Sequence, residues 1–261
     1  MATFRHIFIL SLSISILGLA AGNACAAEQP LHIRTSPGEP EMERQAQKYL
    51  GDYYLDEPSE QKVIALTFDD GPSQYTREVL KILKEFDVKA TFFCTGQNLE
   101  RHPEIVREAL AQGHTIGNHS YSHPHSKTLT TDKFWNDEIV RTQKIFKKEI
   151  GFEPALFRPP YGELNDEEIE KLKAGGIKII GWSIDPKDWS MPDEQDTAAT
   201  IVTVVSTHVH RGAIVLMHDG MHGHGLNTIR ALRRLIPILK SQGYVFDTVD
   251  HLIAQPAVLP N

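Results

Sequence analysis

The stretch VIALTFDDGPSQYT, Val63 to Thr76, decides the fold. Val63 to Phe68 is apolar at nearly every position, the mark of a strand buried on both faces. Asp69, Asp70, Gly71 and Pro72 end it. Tyr75 to Phe86 then reads as an amphipathic helix, with Val79, Leu80, Leu83 and Phe86 along one side. A buried strand that turns sharply into a helix is half of a βαβ unit.

The same rhythm runs outward along the chain. Strands are expected at 90–94, 115–117, 156–157, 177–182, 212–217 and 244–247. Helices are expected between them at 103–112, 134–150, 167–174, 197–208 and 226–242. No Pro/Gly/Ser-rich linker interrupts this run, so residues 62–261 read as one α/β domain built on a parallel sheet. The sheet is either a closed or partly closed barrel or an open one. In both, ligand sites lie past the C-terminal ends of the strands.

Residues 28–61 read as a polar lead-in, with one helix in EPEMERQAQKYLGDYYL that packs down Tyr49 and Leu50. Before it, Arg5, the apolar run Ile7 to Ala20 and the small residues Ala24 to Ala27 form a secretory signal peptide over residues 1–27. A periplasmic or secreted protein is expected, with no stable membrane insertion after cleavage. Of the two cysteines, Cys25 falls in the leader and Cys94 in an apolar strand, so no internal disulfide is expected. The formal charge of −7 gives no basic field for a phosphate backbone, which argues against nucleic acid as a partner.

Five strand ends carry unusual polar content. At the first, two adjacent carboxylates would repel in a dry pocket unless a cation sat beside them. One can hold a metal while the other accepts a proton. At the second, GNHSYSHPH, His119 and His123 stand four apart, a spacing that brings two imidazoles to one side of a helical turn. His125 is a weaker candidate, at the loop surface or behind the ligands. The third, RPPYG, holds Arg158 as a fixed charge for a carboxylate of the site. It also brings Tyr161 near the pocket, where its backbone N–H or its hydroxyl faces an oxyanion.

The fourth, GWSIDPKDWS, places Asp185, Asp188 and Trp189 past a strand. One Asp braces Arg158 or orients an imidazole, and Trp189 offers a flat face to a sugar. Trp182 reads as core. The fifth, IVLMHDGMHGHG, ends its strand on His218, suited to moving a proton near neutral pH, with Asp219 as its neighbour or a cap. His222 and His224 read as solvated loop residues.

Together these parts describe metal-assisted hydrolysis of an amide or ester. Asp70, His119 and His123 are the three protein ligands of one divalent ion, Zn2+ by donor type, with Co2+, Ni2+ or Mn2+ also accommodated. Asp69 takes the proton of an attacking water, and His218 protonates the leaving group. No G-x-S-x-G elbow is present.

The chain resembles the polysaccharide deacetylase family with the NodB homology domain, carbohydrate esterase family 4. The resemblance rests on TFDDGP (Thr67 to Pro72), HSYSH (His119 to His123), RPPYG (Arg158 to Gly162), DPKDW (Asp185 to Trp189) and LMHDG (Leu216 to Gly220), in that order. It implies a distorted (β/α) barrel of seven or eight parallel strands. It also implies Asp69 as base, Asp70, His119 and His123 as metal ligands and His218 as acid. Arg158 and Asp185 or Asp188 would tune that pair, with Tyr161 and Trp189 lining the groove.

The expected activity is removal of N-acetyl groups from β-1,4-linked N-acetylglucosamine chains, of chitin oligosaccharide or peptidoglycan. An O-acetyl xylan esterase and a catalytically silent wall-polysaccharide binder are the alternatives. A metal-dependent phosphoesterase lacks the basic anchors it would need.

Overall fold

The computed structural model describes residues 40–190, 192, 195–220 and 225–260. The expected signal peptide and the His222 and His224 loop lie outside them. Eight strands form one sheet among these residues: β1 (Tyr53–Tyr54), β2 (Val63–Gly71), β3 (Thr91–Cys94), β4 (Thr115–Asn118), β5 (Leu156–Phe157), β6 (Lys178–Ile180), β7 (Ile214–His218) and β8 (Val245–Phe246). Every ladder between them is parallel, in the order β1-β6-β5-β4-β3-β2-β7, with β8 beside the first residues of β2.

The sheet curls into a distorted barrel, the form the family resemblance implies. The seam falls between the β1–β6 edge and β7 and is bridged twice. Past β6, Ile184 bridges Val215, and past β1, Asp56 bridges Ala213.

The segment read as a lead-in is therefore part of the sheet. Its helix, α1 (Pro40–Lys48), stops short of the span expected. Gly51 turns the chain at φ 81°, and Tyr53 and Tyr54 pair with Ile179 and Ile180. Tyr49 is buried as expected, but Leu50 is 81% exposed, because the helix has already ended beneath it.

The period of two along β2 sorts the barrel. Ile64, Leu66 and Phe68 point outward into a core shared with α2 (Gln74–Glu85), α4 (Pro103–Ala111), α8 (Gln195–His208) and α9 (Gly225–Ser241). Ala65 points inward against Phe93, Leu156 and Ile214. α10 (Val249–Leu252) supplies Val249 to the same interior cluster. A second outer core joins α1 and α7 (Asp166–Ala174) to β5 and β6 through Met42, Ile169, Phe157 and Ile179.

Ser73 opens α2 with a capping box. Its hydroxyl accepts from the Tyr75 N–H and its own N–H donates to Thr76 Oγ1, a device worth about 1 kcal/mol. Two helical features escape the sequence pattern. α3 (Gly96–Arg101) follows β3 directly. The long helix expected at 134–150 begins earlier, as α5 (Thr131–Lys133), passes through a π-helical stretch at Phe134–Val140, and ends as α6 (Arg141–Ile150).

Candidate active site

The inward register of β2 carries Ala65, Thr67 and then Asp69 up the barrel wall. Strict alternation would send Asp70 outward. Instead the pairing with β3 slips between Asp69 and Gly71, and Asp70 takes a left-handed φ of 69° as the extra residue of a bulge. Asn98 on α3 donates Nδ2–H to the Asp70 carbonyl at 2.8 Å and holds the bulge. Both carboxylates consequently reach one cavity from consecutive positions.

β4 delivers the imidazoles. His119 continues its ladder, donating its N–H to the Cys94 carbonyl at 3.0 Å. Its ring Nδ1 lies 2.7 Å from the Arg158 carbonyl, so Nδ1 carries a hydrogen and Nε2 is the nitrogen that faces the cavity. His123 arrives differently from expectation. Its segment is a tight loop rather than a helical turn, with Ser120 at φ 64° and His123 at φ 59°. The spacing still works, because the loop folds His123 back to 4.9 Å, edge to face, from His119.

Asp70 Oδ1 is 3.5 Å from His119 Nε2 and 3.3 Å from His123 Nε2. Ligand atoms of all three residues lie within 4.8 Å of one another. Donors about 2.0–2.1 Å from a tetrahedral zinc stand roughly 3.3 Å apart, so this set fits a single divalent ion. Burial, with His119 adjacent, lowers the His123 pKa to about 4 and leaves that ring neutral. Burial works to raise the Asp70 pKa, but the hydrogen bond and charge of His119, with the His218 charge beyond it, outweigh it and hold the carboxyl well below its usual range.

Asp69 stands beside this set without completing it. Its Oδ2 is 3.7 Å from His119 Nε2, and its Oδ1 accepts from Arg158 Nη1 at 2.9 Å. Arg158 is fully buried inside the barrel, with its guanidinium 4.2 Å over the Phe93 ring. It also donates to Thr67 Oγ1 (2.6 Å) and to the carbonyls of Ile180 (3.1 Å) and Gly181 (2.9 Å). Neither Asp185 nor Asp188 is among these partners, contrary to one expectation, because the inward face of β2 already supplies the carboxylate. Removing one member of so buried a pair costs about 3–5 kcal/mol.

Asp188 instead binds His218 at the end of β7. Its Oδ1 meets His218 Nδ1 at 2.8 Å, and its Oδ2 accepts the His218 N–H (2.8 Å) and the Thr228 hydroxyl (2.7 Å). Burial works to lower the His218 pKa, but Asp188, with help from Asp70 and Asp69, raises it to about 10. Asp185 is buried nearby and accepts the Lys187 N–H at 2.7 Å, and burial raises its pKa. Asp219 is buried beneath the turn, donating its N–H to the Asp69 carbonyl while its own carbonyl accepts from the Ser73 hydroxyl. It braces that turn rather than His218.

These groups open into a cavity of about 480 Å³. Trp182 is buried, as read, yet also lines the cavity. Tyr161 and Trp189, 49% and 47% exposed, stand on its rim. The Tyr161 backbone is left-handed at φ 58°, and its ring stacks on His125 with centroids 3.8 Å apart. His125 in turn meets Glu163 at 3.0 Å, which also accepts from Lys127 at 2.7 Å. Sequence reasoning gave no role to Thr67 or Thr228. Thr67 lies within TFDDGP, and the inward parity it shares with Asp69 was a usable signal. Thr228 has none, because it meets Asp188 only through the packing of α9.

A model of the polysaccharide deacetylase family matches residues 56–180. A peptidoglycan-N-acetylglucosamine deacetylase of Bacillus cereus is 40% identical over 199 residues, covering 75% of this chain and 90% of that protein. The solved structure of the Bc1960 peptidoglycan N-acetylglucosamine deacetylase superposes with a TM-score of 0.76 at 34% identity, covering 82% of this chain and 97% of that one. A Bacillus anthracis protein described as a pseudoenzyme of carbohydrate esterase family 4 superposes with a TM-score of 0.70 at 28% identity, covering 79% and 70%. The chain belongs to the polysaccharide deacetylase family.

Proposed function

We propose that this chain is a metal-dependent deacetylase that removes N-acetyl groups from β-1,4-linked N-acetylglucosamine chains, of peptidoglycan or chitin oligosaccharide. Family membership alone does not carry that reading, since one relative is described as a pseudoenzyme. The observation that carries it is Asp69, a buried carboxylate kept beside the three candidate ligands by Arg158 and not needed merely to hold an ion.

Asp70, His119 and His123 would hold the ion, and two imidazoles with one carboxylate suit zinc. When bound, a divalent ion there supplies Lewis acidity to a carbonyl oxygen and lowers the pKa of a water. Asp69, with Oδ1 bonded to Arg158, accepts the proton of the attacking water. The Tyr161 backbone N–H faces the developing oxyanion. His218 gives its proton to the departing amine nitrogen. Asp188 bonds its Nδ1, so Nε2 is the nitrogen that delivers. Trp189 and Tyr161 flank the sugar as apolar faces.

The leader read at residues 1–27 adds export to this reading, with the substrate met in the periplasm or outside the cell. The test is a panel of chitin oligosaccharides, peptidoglycan and acetylated xylan incubated with the zinc-loaded protein. Acetate should appear from the first two, with mass spectrometry locating the lost acetyl group on nitrogen. Acetate from xylan alone would make the chain an O-acetyl esterase. No acetate from any of the three would leave a binding protein.

A further inference from the structure

We propose that Glu138, on the π-helical stretch Phe134–Val140, is the positioning residue of the metal-binding loop. The loop Ser120–His123 departs from both helix and strand, and two of its non-glycine residues adopt left-handed backbone. Such a conformation persists only where its surroundings over-determine it. All four amides of this loop and two of its carbonyls are met by partners. The carbonyls of Ser120 and Tyr121 accept from the N–H groups of Gly96 and Gln97 at the start of α3, at 2.9 and 3.1 Å. The Ser120 N–H donates to Asn118 Oδ1 and the His123 N–H to Ser120 Oγ, at 2.8 and 3.0 Å.

The two remaining amides, of Tyr121 and Ser122, both donate to Glu138 Oε2 at 2.8 Å. Glu138 Oε1 accepts the Ser122 hydroxyl, also at 2.8 Å. One carboxylate thus receives three hydrogen bonds from two adjacent residues lying between the two imidazole ligands.

Glu138 itself is held from below. It is buried, its backbone carbonyl accepts the Thr142 hydroxyl at 2.7 Å, and the neighbouring Arg141 guanidinium lies 3.3 Å over the Tyr121 ring. A carboxylate with one oxygen shared by two consecutive amides and the other on the Ser122 hydroxyl fixes where the chain turns. It thereby fixes how His123 returns to the side of His119. No hydrogen bond or ion pair joins Glu138 to either candidate ligand ring, so its effect passes through the loop backbone.

This inference rests on the metal-site reading and not on the substrate, so zinc affinity is the readout, measured by competition with a chromophoric chelator. Residues acting behind metal ligands typically govern affinity by about 10–100-fold, and Glu138→Ala should raise the zinc dissociation constant by that much. Glu138→Gln keeps an oxygen for both amides and an N–H for the Ser122 oxygen, and should stay within about threefold of wild type. Glu138→Asp keeps the charge but draws the oxygens back by one methylene, and should weaken zinc nearly as much as Ala.

If Glu138→Ala fails to fold by circular dichroism, the Gln and Asp variants decide. Zinc tighter in Gln than in Asp supports the clamp, while Asp equal to or tighter than Gln overturns it. Wild-type affinity in Ala or Asp also overturns it. A wild-type protein that binds no zinc would instead defeat the metal-site reading, whatever the variants do.

Discussion

The floor and the rim of the cavity are built on different terms. On the floor, Asp69 and His218 line the cavity, and the buried Arg158 and Asp188 behind them fix them by hydrogen bonds that reach separate strands and helices. On the rim, Tyr161 and Trp189 are about half exposed and sit in short turns. The floor is a product of barrel topology, since inward parity on β2 and the close of β6 place its charges. The rim is a product of local loops, which can change without disturbing the barrel. Chemistry should therefore fail when the floor is altered, and selectivity should drift when the rim is.

The comparison breaks most sharply at Asp69. Asp69→Asn keeps size and one acceptor for Arg158 but removes the proton acceptor. Turnover should fall by about 10²–10⁴-fold while zinc affinity holds. If turnover survives, the floor does not contain the base.

A smaller effect, roughly 10–100-fold in kcat, is expected of Asp188→Asn, which loosens the orientation and charge of His218. Its signature lies in the pH profile. His218 must be protonated to act as acid, so activity is present below its pKa and is lost as pH rises through about 10. Without the Asp188 charge that pKa drops, and the alkaline limb should move to lower pH. A limb that stays in place would remove His218 from the acid role.

The smallest effect is expected at the rim. Trp189→Ala should raise KM for a sugar oligomer by about 2–10-fold, the value of one lost aromatic contact, with kcat little changed. An equal loss of kcat would blur the division between floor and rim.

Much of the floor was legible because it follows from strand period and strand ends. The run Val63–Phe68 fixes a buried strand, and its end at two carboxylates marks the site before any loop is known. What stayed hidden depends on tertiary placement. Asp185 and Asp188 share one turn, and only the approach of β7 and α9 makes Asp188 the partner of His218. The His119–His123 spacing was informative for the wrong reason, since left-handed backbone at Ser120 and His123 carries no sequence mark when glycine is absent. β1 was lost because two tyrosines after Gly51 continue a helical pattern on paper. Glu138 lies far along the chain from the loop it clamps, on a π-helical stretch that heptad-like spacing cannot reveal.

The central claim is metal-assisted deacetylation at a single three-residue ion site. It is tested most directly by stripping the protein with a chelator, returning zinc in measured steps and following acetate release from an N-acetylglucosamine oligomer. Release should vanish on stripping and return in proportion to zinc, levelling off at one ion per chain. Acetate release that persists undiminished in the stripped protein, or that never appears at any zinc level, would contradict the account.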